Sequence, residues 1–184
     1  MEIRDAQLEV RTVFMRGFPG QFVSGVLWLA SAALGTWSSH RNGILTAVIG
    51  GIFLFPAAQL VLRTMGRRAS LKPENPFSAL AMQVAFTIPL SLPLVGAATL
   101  YRTEWFYPAL MIVVGAHYLP FIFLYGMWQF GILAAAMIGG GVAIGMLAPH
   151  TFTLGGWLTG AALMLFAIWA LATADRGAAP RPAA

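Results

Sequence analysis

The chain has 184 residues, of which 59% are hydrophobic and only 9% charged, against about 25% charged in an ordinary soluble domain. So few charges cannot clothe a water-facing surface, and the net charge of +5 comes from arginines that flank apolar runs without forming a basic stripe, which sets nucleic acid aside as a partner. The absence of cysteine removes disulfides, thiolate catalysis and thiolate metal sites.

Residues 1–17, "MEIRDAQLEVRTVFMRG", bring Ile3, Ala6, Val10, Val13 and Phe14 close to one helical stripe among charges. This predicts a short amphipathic helix lying at a membrane surface. A cleaved signal peptide is the rival reading, and Glu2, Asp5 and Glu9 argue against it.

Beyond Pro19-Gly20 the apolar runs reach about 20 residues, the length an α-helix needs to cross about 30 Å of hydrocarbon. The expected fold is all-α, a six-transmembrane-helix domain over 18–174 with spans near 20–38, 43–63, 76–100, 105–125, 128–148 and 152–173. Asn42, Asn75-Pro76 and Thr103-Glu104 supply N-cap or first-turn residues for three of them. Short connections predict three antiparallel hairpins, and the tail 175–184 is expected to be disordered.

With the N-terminus inside, nine of the 11 basic residues fall on the inner side: Arg4, Arg11, Arg16, Arg63, Arg67, Arg68, Lys72, Arg176 and Arg181. Only Arg41 and Arg102 fall outside, so the expected orientation puts both termini in the cytoplasm. Membrane lipids are the expected partners, with Arg63, Arg67, Arg68 and Lys72 placed to meet anionic headgroups. Self-association of the chain is left open.

Small residues four apart mark helix contacts: Ser31/Gly35, Gly131/Ala135, Gly141/Gly145 and Gly156/Gly160. The second to fourth spans instead combine proline with uncharged polar residues. Pro56, Pro89, Pro93 and Pro120 are expected to kink their helices and to free carbonyls four residues earlier. If spans three and four are antiparallel, Thr87 lies level with His117, Gln83 lies one turn nearer the inner side, and Gln59 lies in the same half of the membrane. His117, Gln83, Thr87, Gln59 and Ser91 are therefore the candidate binding cluster. His117 either fixes helix register or lines an inner-leaflet cavity for a small neutral or weakly polar solute.

Residue inventory argues against an enzyme. No Asp or Glu lies in a span, only His117 is a histidine at membrane depth, and Ser91 lacks a base at its own level. No cofactor is expected. On the outer face His40, His150 and Glu104 lack metal-site spacing, so no metal is expected either.

The segments "GGIFLFPAAQLVLR" and "NPFSALAMQVAFTIPLSLPLVGAATLYRTEWFYPALMIVVGAHYLPFIFLYGM" resemble an uncharacterised family of bacterial multi-pass membrane proteins. The likeness covers about residues 20–130 and implies a bacterial cytoplasmic membrane location with no assigned activity. The three-hairpin layout is also similar to that of bacterial acid-resistance membrane proteins. The expected role is structural or stress-related, with a solute carrier or channel as the alternative.

Overall fold

The computed structural model describes residues 1–67, 70–148 and 150–174. These form eight α-helices without a strand: α1 Ile3–Val13, α2 Phe18–Trp37, α3 His40–Ile52, α4 Leu54–Thr64, α5 Phe77–Tyr101, α6 Phe106–Tyr125, α7 Gln129–Leu147 and α8 Leu154–Ala174. Short 3₁₀ turns lead into α2 and α6. Five helices (α2, α5, α6, α7 and α8) are long and apolar enough to cross a membrane, and α3 and α4 form a bent pair that passes the same test together.

The expected single span over 43–63 is thus two helices that meet at 59°. The break has a local cause. Pro56 has no amide hydrogen for the Ile52 carbonyl, and the preceding Gly50-Gly51 stiffens nothing. Phe53, at φ −90 and ψ 0, turns the chain between them. Pro89, Pro93 and Pro120, by contrast, are accommodated inside helices that run on past them.

Caps fix other boundaries. Ser39, not Asn42, is the N-cap of α3: its Oγ accepts from the Asn42 backbone at 3.1 Å, while the Asn42 side chain donates to Ser38 Oγ at 2.8 Å. At the start of α5 the Asn75 Oδ1 accepts from the Phe77 amide at 2.9 Å. Gly126, at φ +60, closes α6 in the left-handed conformation that glycine adopts without penalty.

α1 packs against the bundle. Ala6 and Val10 are fully buried, and four hydrogen bonds fasten α1 to one end of the bundle, the near end. Gln7 Nε2 donates to the Phe123 carbonyl at 2.6 Å, in the last turn of α6, where the Gly126 amide also bonds it at 3.2 Å. Glu9 Oε1 accepts from the Lys72 amide at 2.8 Å, and Asn75 Nδ2 donates to the Ala6 carbonyl at 3.2 Å and to Glu9 Oε2 at 3.1 Å. The loop after α4, the start of α5 and the end of α6 therefore gather beside α1. Gly17, just before α2, lies against Phe130 near the start of α7. At the far end Thr36 bonds Thr153 at 3.1 Å and Trp157 at 3.2 Å, and His40 stacks on Phe152 at 3.9 Å.

Helix pairing follows small residues more than chain order. α2 pairs with α3, and α5 with α6, as hairpins should. The last two helices meet each other only lightly: α7 lies along α6, and α8 lies along α2. A Cβ at Gly141 of α7 would sit 2.7 Å from the Pro108 carbonyl oxygen of α6, and one at Gly160 of α8 would sit 3.0 Å from the Leu29 nitrogen of α2. Such close backbone approach is what holds apolar helices together where no hydrophobic force separates them from lipid. Within the "GGG" stretch only Gly141 is so confined, since a Cβ at Gly139 would meet nothing.

Candidate functional site

α5 and α6 bring Thr87 and His117 together. Thr87 Oγ1 lies 3.0 Å from His117 Nδ1, as levelling the two helices predicts. The same hydroxyl lies 2.7 Å from the Val84 carbonyl, which can only accept, so its single proton goes there and the oxygen accepts from an Nδ1–H on the ring. A neutral His117 in this tautomer keeps Nε2 as an open acceptor. Phe121 and Tyr118 flank the ring, with centroids at 4.9 and 5.7 Å.

The other members of the expected cluster fare differently. Ser91 returns its proton to the Thr87 carbonyl at 2.7 Å. Gln83 is exposed on the surface of α5, one turn from Thr87. Gln59 is on α4, which packs chiefly against α2, so the structure does not gather it around His117. The side-chain bonds formed beside the prolines of α5 go to the Val84 and Thr87 carbonyls, not to those of Ala85 and Pro89 that Pro89 and Pro93 free.

A second polar seam, between α2 and α6, was not expected from the sequence. Tyr118 donates to Gln21 Oε1 at 2.7 Å, with Ser24 beside it, and Tyr107 meets Ser31 Oγ at 2.6 Å. Ser31 in turn donates to the Gly43 carbonyl of α3 at 2.8 Å. Gln21 and Ser31 are 2% and 0% exposed, so these bonds are made where water does not compete. A signal was there to read: Gln21, Ser24 and Ser31 stand three and seven apart, and Tyr107 and Tyr118 eleven apart, each set on one helical face.

Toward the ends, Arg63, Arg67 and Lys72 are exposed. Arg68, the fourth of that set, and the tail 175–184 lie outside the described residues. Among the described residues no three His, Asp or Glu side chains converge as a metal site requires. α2 to α8 carry neither Asp nor Glu, so the arrangement offers neutral hydrogen bonding and no acid–base pair.

No curated protein and no solved structure matches the chain. The model of a family of unknown function, DUF7010, matches residues 3–173, from the first turn of α1 to the last of α8, and the chain belongs to that family.

Proposed function

We propose that the chain is a six-pass integral protein of the bacterial cytoplasmic membrane, with both termini in the cytoplasm and a structural or stress-related role that involves no catalysis. The role rests on one observation: four deep polar side chains, Gln21, Ser31, Tyr107 and Tyr118, are committed to other helices, with Thr159 of α8 the buried hydroxyl that is not. Groups spent in this way fix helix register and leave little to receive a solute.

Six crossings are supported by the contacts at the two ends. α3 begins where His40 meets Phe152 at the far end, and the loop after α4 reaches Glu9 at the near end. The bent pair then reads as one broken crossing, not a re-entrant loop. Among the described residues Arg4, Arg11, Arg16, Arg63, Arg67 and Lys72 belong to the near end and only Arg41 and Arg102 to the far end, a bias that supports a cytoplasmic near end. Arg63, Arg67 and Lys72 then face anionic lipid.

The competing reading is a carrier for a small neutral or weakly polar solute, and the Thr87–His117 pair is the observation in its favour. Mass spectrometry of protein purified in mild detergent separates the two. Lipid as the only companion supports the structural role. A stoichiometric polar solute that is lost in His117→Leu would replace that role with transport.

A further inference from the structure

We infer that the exposed face of α5 is an interface between two copies of this chain, closed by reciprocal hydrogen bonds from the Gln83 amide of one copy to His117 Nε2 of the other. The inference rests on the reading that these helices lie in a membrane, since only there are open polar groups left without water.

Two polar groups on this surface are incomplete in a complementary sense. His117 Nε2 is an acceptor, because the proton of Thr87 is spent on the Val84 carbonyl and Nδ1 must donate to Thr87. Among the described residues the polar neighbours of the ring are Thr87 and the Val84 carbonyl, no other side chain bonds it, and the ring is only partly buried. Gln83, four residues before Thr87, is exposed and brings two N–H donors that find no acceptor among the described residues. In hydrocarbon each such group carries a desolvation cost that only a partner removes.

Among the five long helices α5 is also the one with most surface to cover. Only 11% of its apolar window is buried within the chain, against 33–44% for the other four long helices. Gln83, Phe86, Leu90 and Leu94 recur at intervals of three and four along one face, with Phe86, Leu90 and Leu94 exposed at 55%, 76% and 72%. A two-fold axis along the membrane normal keeps equivalent residues at one depth and makes every contact twice. Gln83 lies one turn, about 5.4 Å, nearer the cytoplasm than Thr87, a step its long side chain can cover toward the neighbouring ring. A lipid hydroxyl bound to Nε2 would leave Gln83 unpaired. A second copy satisfies both groups at once.

The absence of cysteine provides the test. Single cysteines at Phe86 and Leu90, with controls at the exposed Ile132 of α7 and Leu158 of α8, are oxidised in membranes diluted with excess phospholipid. Disulfide dimers should form at 86 or 90 and not at 132 or 158. Adding Gln83→Leu to Leu90→Cys should lower the dimer association constant about 3- to 30-fold per bond lost, the range that interhelical hydrogen bonds of this kind support. His117→Leu should do the same, and the exposed Gln83→Leu keeps the test open if His117→Leu fails to fold. Cross-linking at α5 no stronger than at the controls, in protein that remains in the membrane fraction, overturns the interface but not the membrane reading. Recovery of the chain in the soluble fraction would overturn that reading itself. A monomer carrying a hydroxyl-bearing lipid that His117→Leu releases would also overturn the interface.

Discussion

Tyr107 on α6 and Ser31 on α2 share a buried hydrogen bond of 2.6 Å, and its direction is set by a third helix. Ser31 spends its one proton on the Gly43 carbonyl of α3, so Tyr107 must be the donor. Three helices are tied by one hydroxyl. Ser31→Ala strands the Tyr107 hydroxyl in the core and should cost about 1–3 kcal/mol, whereas Tyr107→Phe removes the stranded group with the bond and should cost less. In a thermal-melt cycle the double variant should be less destabilised than Ser31→Ala alone, because the stranded hydroxyl is gone. Additive losses would separate the two residues energetically.

The glycines of α7 should differ in their tolerance. Gly141→Ala places a methyl 2.7 Å from the Pro108 carbonyl oxygen and should lower stability by about 1–3 kcal/mol, because backbone on both sides must shift. Gly139→Ala meets nothing and should be neutral or mildly stabilising through helix propensity. Gly145 lies between them, with Pro108 Cβ at an ordinary 3.6 Å. Melting temperatures in one detergent decide the order.

Asn75 joins α1 to the start of α5 by capping the Phe77 amide and bonding Ala6 and Glu9. Asn75→Ala should cost about 1–2 kcal/mol, the usual loss for a cap, and should also loosen α1. Limited proteolysis reports the second effect: cleavage within the first 17 residues should accelerate. Unchanged cleavage would mean that Ala6 and Val10 hold α1 by packing alone.

His117 should be a single neutral tautomer, protonated at Nδ1. Nitrogen-15 spectra of histidine-labelled protein distinguish Nδ1–H from Nε2–H directly. Thr87→Val removes the acceptor that selects this form, so the preference should weaken in that variant. A ring already protonated at Nε2 in the unaltered protein would contradict the assignment.

The parts legible in the sequence are those set by length and periodicity. Apolar runs of membrane length gave the long helices, and counting residues from one turn gave the level of Thr87 and His117. What was not legible depends on which helix lies beside which. The seam of Gln21, Ser31, Tyr107 and Tyr118 needs α2 against α6, two helices far apart in the chain, and no local pattern states that. The pairing of α7 with α6 and of α8 with α2 likewise follows from close approach at Gly141 and Gly160, which a four-residue spacing signals without naming the partner. Gln59 was grouped with His117 by depth alone, and depth does not fix direction around the bundle.

Six alternating crossings with a cytoplasmic near end are the central claim, and labelling single cysteines with a membrane-impermeant thiol reagent tests it most directly. Cysteine in place of Arg41 should react in intact cells, while cysteine in place of Arg68 or Ala179 should react only after the cells are opened. Reaction at 179 together with 41 from outside would mean an odd number of crossings. Reaction at 68 together with 41 from outside would make α3 and α4 a re-entrant pair and contradict the account.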